Sequence, residues 1–297
     1  MKKIFYIIAL GVGLAGCSNN EDELLSTGSF PEDHVIRIIT EVNEPLSRAG
    51  YDVTNLERFG LMIRNSENAA YNYHKQMVSS GNAWSTSDGQ QMLWDAERTP
   101  VTMIAYAPYM SEAAPDASLA VNALTNQTTE ENVKSSDFLL MKATVDPEQD
   151  LTADGKLKIS LSHAMSKLLI KITVNGTTDA AMNKLGDMSI NGAVVNGICD
   201  LSATVPIVVP APDAVVATVA PYKGTESCEC ILPPQKIAEG FSVNFSYDGK
   251  LYIWTAKEAI ELEKGVEHTL TLNVNTTVRL APKMARNWAT GQLIDRN

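Results

Sequence analysis

Histidine and cysteine are scarce in this chain. Among 297 residues there are four of each, His34, His74, His163 and His268, and Cys17, Cys199, Cys228 and Cys230. No H-E-x-x-H, G-x-S-x-G or C-x-x-C occurs, so the common zinc, serine-nucleophile and dithiol chemistries lack their residues. His163 has Ser162 and Ser166 close by but no acid placed by sequence, and such a strand-turn histidine reads as structural. Asp146, Glu148 and Asp150 do not follow the ligand spacing of a calcium loop and read as a solvated acidic loop. Nothing in the pattern calls for a cofactor or a metal. Positive charge is also short: the formal net charge is −11. A chain this acidic, with no basic stripe, is not built for a nucleic-acid partner. Aromatics are only 6% of the residues. Trp84 and Trp94, spaced along strand-like runs, read as core before they read as a sugar platform.

Long apolar runs are missing too. The longest useful one, Ile4 to Leu14, is about eleven residues, too short to span a bilayer and of the right length for a signal peptide behind Lys2 and Lys3. The run ends in Leu14-Ala15-Gly16-Cys17, small residues before a cysteine in the manner of a bacterial lipobox, where the thiol is acylated and the chain is cut before it. Residues 1–16 are therefore expected to be a signal peptide, and 17–34 a lipidated acidic tether that begins at Cys17 and holds Glu21, Asp22 and Glu23. The only G-x-G-x-x-G, at Gly11, Gly13 and Gly16, lies inside this segment without a strand before it or a helix after it, so it carries no nucleotide-binding meaning. With Cys17 lipidated, three cysteines remain, which is not a disulfide framework. One bridge from Cys199 to Cys228 or Cys230 is open. Three buried free thiols are the favoured reading.

The full sequence has 44% hydrophobic residues, enough for a packed body. It alternates at period two and is punctuated by turn residues every eight to twelve positions, which predicts an all-β sandwich architecture without helical period. Ile36, Ile38, Thr40 and Val42 share one face of an early strand. A polar loop with Pro45, Arg48 and Gly50 follows. Arg58–Arg64 places Phe59, Leu61 and Ile63 inward, with 71–78 as its hairpin partner. Val101–Pro108 is apolar on both parities, which predicts a central strand. Ser111–Lys134 reads as an irregular polar loop. The chain is expected to divide into an N-terminal sandwich, 35–175, and a C-terminal one, 176–297, with Asn191-Gly192 and Asn196-Gly197 as turns and 205–219 as an edge or loop. Near the end, Leu270, Leu272, Val274, Thr276, Val278 and Leu280 share one face of the last strong strand.

The spine of the sequence is Lys156–Val174. Leu157, Ile159, Leu161, His163 and Met165 fall on one parity, and Leu168, Ile170, Ile172 and Val174 on the other. One straight strand cannot change parity without turning its apolar face outward. Two strand segments joined near His163–Lys167 are predicted, launched by a type I′ turn at Asp154-Gly155.

These runs carry a resemblance. Asp137, Leu139, Leu140 and Ala143, followed by His163, Ala164, Ser166, Lys167 and Leu168, resemble the "DLL.A" and "HALSKL" strands of the fimbrillins, the subunits of type V pili. The 101–109 strand, the Pro233-Pro234-Gln235 stretch and the DGKLY strand resemble further fimbrillin segments in the same order, so that the likeness runs from the Ser47-Arg48-Ala49 loop to Trp288–Gly291. Val266-Glu267-His268 departs from the family where an aromatic is common. The resemblance implies two transthyretin-like β-sandwich domains and no enzyme activity. It also implies a life history: export as an outer-membrane lipoprotein by the lipoprotein export machinery, cutting between Arg48 and Ala49 by an Arg-specific surface protease, and assembly with other pilin subunits in a cell-surface pilus (fimbrium). Assembly would be by donor-strand exchange. The Ile36, Ile38, Thr40 and Val42 strand is then removable, and the Leu270–Leu280 row is a candidate donor. Adhesion would add a host or bacterial surface receptor, and the short tail after Trp288 favours a tip or accessory role. The alternative expectation is a permanently anchored surface lipoprotein that binds glycans.

Overall fold

The computed structural model describes residues 29–42, 50–52, 54–80, 83–176, 178–237, 240–274, 284–287 and 293–295. The first half of the chain forms β1 (Arg37–Val42), β2 (Arg58–Arg64), β3 (Tyr73–Ser80), β4 (Ala83–Thr86), β5 (Val101–Ala107), β6 (Ser118–Asn122), the helix α1 (Glu130–Ser135), β7 (Leu139–Val145), β8 (Lys156–His163) and β9 (Ser166–Val174). The second half forms β10 (Thr178–Asp179), β11 (Leu185–Val194), β12 (Asn196–Asp200), β13 (Val208–Pro210), β14 (Val216–Val219), β15 (Tyr222–Lys223), β16 (Cys228–Leu232) and β17 (Gln235–Ile237). It continues with β18 (Ser242–Tyr247), β19 (Lys250–Thr255), β20 (Ile260–Leu262), β21 (Val266–Asn273), β22 (Met284–Asn287) and β23 (Leu293–Asp295). The architecture is all-β, as expected.

One sheet runs β1-β8-β7-β5-β2-β3-β4, a second β15-β16-β9-β21-β22-β23, a third β14-β11-β18-β19 and a fourth β13-β12-β6. The first sheet is buried on both faces at its centre. On β5, Val101, Met103, Ala105 and Ala107 join one apolar cluster with Phe59, Leu61 and Leu157, while Ile104 and Tyr106 join another with Leu168, Ile170 and Leu272. That double burial is why its sequence is apolar on both parities. On β2, Gly60 is where the Tyr106 ring lies. A Cβ there would stand 2.4 Å from the ring's Cζ, so only glycine fits.

The predicted phase change is real, and it does more than bend a strand. β8 ends at His163, Ala164-Met165 crosses over, and β9 starts in a different sheet. The hydrogen bonding therefore runs across the boundary drawn at 175/176. β9 pairs with β16 and β21, and β6 pairs with β12. Asn175-Gly176, both at positive φ, turns the chain back so that β10 pairs with β9. Side chains stitch the halves further. Lys142 Nζ donates to the carbonyls of Leu201, Ser202 and Ala203 at 2.8, 3.2 and 2.9 Å. Gln127 donates to the Ile231 carbonyl and accepts from its N–H, both at 2.8 Å, occupying backbone groups of β16 that would otherwise be an open edge.

Several local expectations need correction. The stretch 111–134 is not irregular throughout: Leu119 and Val121 are buried on β6, and Thr129 caps α1 by accepting from Asn132 N at 3.2 Å, with Glu130 and Glu131 in the first turn. Asn191-Gly192 is not a turn but a bulge inside β11, where the register with β14 shifts and Gly192 takes φ +93°. Gly197 lies inside β12 rather than in a turn, 2.7 Å from Val121 O at the Cβ position. At Asp154-Gly155 only the glycine has positive φ, and Gly155 N donates to Thr152 O at 2.8 Å. That is a type I turn closed by a glycine bulge, not type I′, which needs positive φ at both residues. Asp248-Gly249 meets that condition. The segment 205–219 does supply edges, β13 and β14.

Candidate strand-exchange site

β1 is the end strand of the first sheet. It pairs in parallel with β8, placing Ile38 opposite Leu157, Thr40 opposite Ile159 and Val42 opposite Leu161. Ile36, Ile38 and Val42 are buried, at 7, 5 and 6% exposure. They belong to the cluster holding Phe59, Met77, Met92, Trp94, Leu157, Ile159 and Leu161. Across β1 from β8 no ladder occurs among the described residues. The lead-in is stitched by Ile36 N to Met92 O at 2.9 Å and Trp94 N to His34 O at 2.8 Å. Farther along, the Trp84 indole N–H on β4 donates to Thr40 Oγ1 at 3.0 Å. Between β1 and β4 lies a cleft of about 410 Å3 lined by Ile36, Ile38, Met77, Trp84 and Met92 among others. The sheet thus curls until its two end strands face each other, with β1 as the stave that closes the apolar interior. On the outer face Glu41 binds Lys158 at 2.8 Å and accepts a hydrogen bond from Ser160, and the first of these holds its carboxyl below the usual carboxylate range.

The other residues of interest distribute unevenly. Cys17, Arg48 and Ala49 lie outside the described residues, as do Thr276, Val278 and Leu280. Leu270, Leu272 and Val274 are buried at 5, 1 and 7%. β21, which carries the first two, is an interior strand, paired over seven positions with β9 on one side and with β22 on the other. The structure therefore does not present the first half of the donor row as a free strand.

The motif residues come together. His163 Nδ1 donates to Asp137 Oδ2 at 2.8 Å, with both side chains essentially sealed from solvent. The acid partner that sequence did not place is the aspartate of the other motif half. Lys167 Nζ meets Glu229 Oε2 at 2.8 Å, the lysine side chain fully buried. A buried charge without a partner is too costly to keep, so Asp137 and Lys167 each meet a group from elsewhere in the chain, His163 and Glu229. Cys199, Cys228 and Cys230 are free and buried. Burial pushes the Cys199 and Cys228 thiols up to about 11 and about 12, far from reactive. Among the described tryptophans, Trp94 and Trp254 are buried, and Trp84 closes the β1 cleft. No cluster of three or more metal-binding side chains occurs among the described residues.

No curated protein matches the chain. Among solved structures, a protein of Bacteroides uniformis assigned to cell adhesion superposes with a TM-score of 0.64 at 15% identity, over 87% of this chain and 99% of that one. A second from Bacteroides ovatus, assigned likewise, gives 0.65 at 17% identity over 88% and 98%. A fimbrial protein of Bacteroides ovatus gives 0.51 at 16% identity over 82% of this chain and 49% of its own length. At these identities the likeness is one of fold. The family is shown separately, by a sequence model described as fimbrillin-like that matches residues 47–285. The chain therefore belongs to the fimbrillin-like family, whose members are structural proteins rather than enzymes.

Proposed function

We propose that this chain is a subunit of a cell-surface type V pilus whose β1 is exchanged for a strand of another subunit. In this reading the chain is exported as a lipoprotein acylated at Cys17. An Arg-specific surface protease then cuts between Arg48 and Ala49, and β1 leaves with the tether. The observation that supports the reading is the standing of β1: Ile38 and Val42 are core, while among the described residues its backbone forms a ladder with β8 only. Losing it would uncover the places of Ile36, Ile38 and Val42, each worth about 1.5–3 kcal/mol when covered. An apolar groove beside the unpaired edge of β8 invites a replacement strand, with backbone bonds giving affinity and alternate side chains giving register.

The incoming strand would come from a second pilin subunit. Drawing out Leu270 and Leu272 would break two ladders, so in this reading the donated row begins at Thr276 and includes Val278 and Leu280. Acylation is tested by Cys17→Ala, which should abolish labelling by a fatty-acid probe. Processing is tested by Arg48→Ala, which should leave the protein monomeric and tethered while the wild type enters polymers. Normal incorporation of Arg48→Ala into pili would contradict the mechanism.

A further inference from the structure

A short way downstream of Arg48 in the sequence, the chain is held by a cluster of polar contacts. Tyr51 N donates to Asp137 Oδ2 at 3.1 Å. The same oxygen accepts from His163 Nδ1 at 2.8 Å, and the other oxygen, Oδ1, accepts from Phe138 N at 2.9 Å. One buried carboxylate thus serves three donors. It stands where β7 begins and β8 ends, where His163 pairs with Leu139 and Ala164 N donates to Phe138 O. The residues that follow Tyr51 are tied down as well. Asn55 Nδ2 donates to Gly50 O at 2.9 Å, and Asp52 Oδ1 accepts from Thr54 N and Asn55 N at 2.7 and 2.8 Å. From α1, Lys134 Nζ donates to Asn55 O at 2.8 Å and lies 5.2 Å above the Tyr51 ring. Tyr51 and Leu56 are themselves buried, at 9 and 5%.

A chain opened before Gly50 would have two ends of very different standing. The upstream end is β1, with one ladder and no buried charge. The downstream end is fastened to a sealed carboxylate ahead of β7, bonded to the last residue of β8. We infer that the Asp137–His163 pair is the anchor of the mature N-terminus, which makes the upstream strand, and not the segment Tyr51–Leu56, the part that leaves after processing. His163 acts through Asp137: it orients the carboxylate and supplies a donor to Oδ2, so that Oδ2 faces Tyr51. Both are positioning residues. The inference rests on the proposed cut before Gly50 for its biological meaning, but the anchor itself is a property of the uncut chain.

Two measurements test it. In the uncut full chain, amide hydrogen exchange at Tyr51 should be slowed at least tenfold relative to an exposed amide. Asp137→Asn replaces two acceptor oxygens by one, so it cannot satisfy Tyr51 N, Phe138 N and His163 together. It should speed Tyr51 exchange at least tenfold while the amides of Leu270 and Leu272 keep their protection. In the second arm, the chain is cut with an arginine-specific endoprotease and then trimmed with a processive aminopeptidase. Trimming of the wild type should halt at Gly50 or Tyr51, and that of Asp137→Asn should run on toward Leu56. Exchange of wild-type Tyr51 at the exposed rate, or a trimming end that Asp137→Asn does not move, would overturn the anchor. Should Asp137→Asn not fold, wild-type exchange at Tyr51 and the wild-type trimming end still decide it, since trimming that runs past Tyr51 excludes an anchor there. N-terminal sequencing of protein shed from cells reads the processing site independently, so a failed anchor and a failed cut are told apart.

Discussion

Two strands of this molecule carry nearly the same sequence pattern and hold opposite positions. β1 and β21 each present an apolar row at period two, buried to within a few per cent. β21 stands inside its sheet, bonded to β9 and β22. Among the described residues, β1 stands at the end of its sheet, bonded in a ladder to β8 alone and held on its other side by lead-in bonds to Met92 and Trp94 and by one indole bond from Trp84. Period-two apolar residues report that a strand is buried on one face. They do not report how many backbone neighbours it has, and on the proposed mechanism that number separates β1 from β21.

The sharpest break of the comparison is a deletion. Removing Ser166 would shift Leu168–Val174 onto the wrong face of the sheet that β21 belongs to, and no cooperative thermal transition should remain. Next comes Lys167→Met, which leaves Glu229 buried without its cation and should cost about 3–5 kcal/mol in denaturant unfolding. The double variant with Glu229→Leu should recover most of that loss. Leu272→Ala, on the interior strand, should cost about 2–5 kcal/mol whether or not β1 is present. Ile38→Ala should destabilise the uncut chain similarly but make no difference once β1 has been cut away and washed out. That split would confirm that β1 is separable and β21 is not. The smallest effect is at the seam. Trp84→Phe removes one hydrogen bond to Thr40, worth about 0.5–1.5 kcal/mol, and should speed release of cut β1 by roughly tenfold or less. Acid should act in the same direction. Glu41 has its carboxyl held below the ordinary value by Lys158, so its contribution is present above that ordinary value and is lost as pH falls through the lowered one. Release should therefore quicken at acid pH, and Glu41→Gln should flatten the dependence.

Much of the fold was legible because burial writes itself into alternation. The double apolarity of Val101–Ala107 marked a central strand, and the parity change after His163 marked the crossover. What alternation could not show was destination: nothing local tells that β9 joins β16 and β21 while β8 stays with β1. Glycine-containing pairs misled for a related reason. Asn191-Gly192 offers a left-handed backbone, which a bulge uses as readily as a turn does. β6 and α1 were missed within a polar stretch, although Leu119 and Val121 alternate and Thr129 stands ahead of Glu130 and Glu131 in the manner of a cap. The site was half legible. The row Ile36–Val42 and the motif residues could be named, but the bond between Asp137 and His163 joins residues 26 apart and belongs to tertiary structure. A histidine on a buried strand needs a partner, and that requirement was the available signal.

The central claim, that β1 is an exchangeable stave, meets its most direct test in the purified full chain. The protein is cut with an arginine-specific protease and incubated with an isotope-labelled peptide copying residues 35–43, and native mass spectrometry then follows the body that begins at Ala49. The account predicts that this body stays folded, loses its own β1 and takes up one labelled peptide, and that a peptide carrying Ile38→Asp is refused. A body that unfolds when β1 departs, or that stays folded without ever exchanging β1, would contradict it.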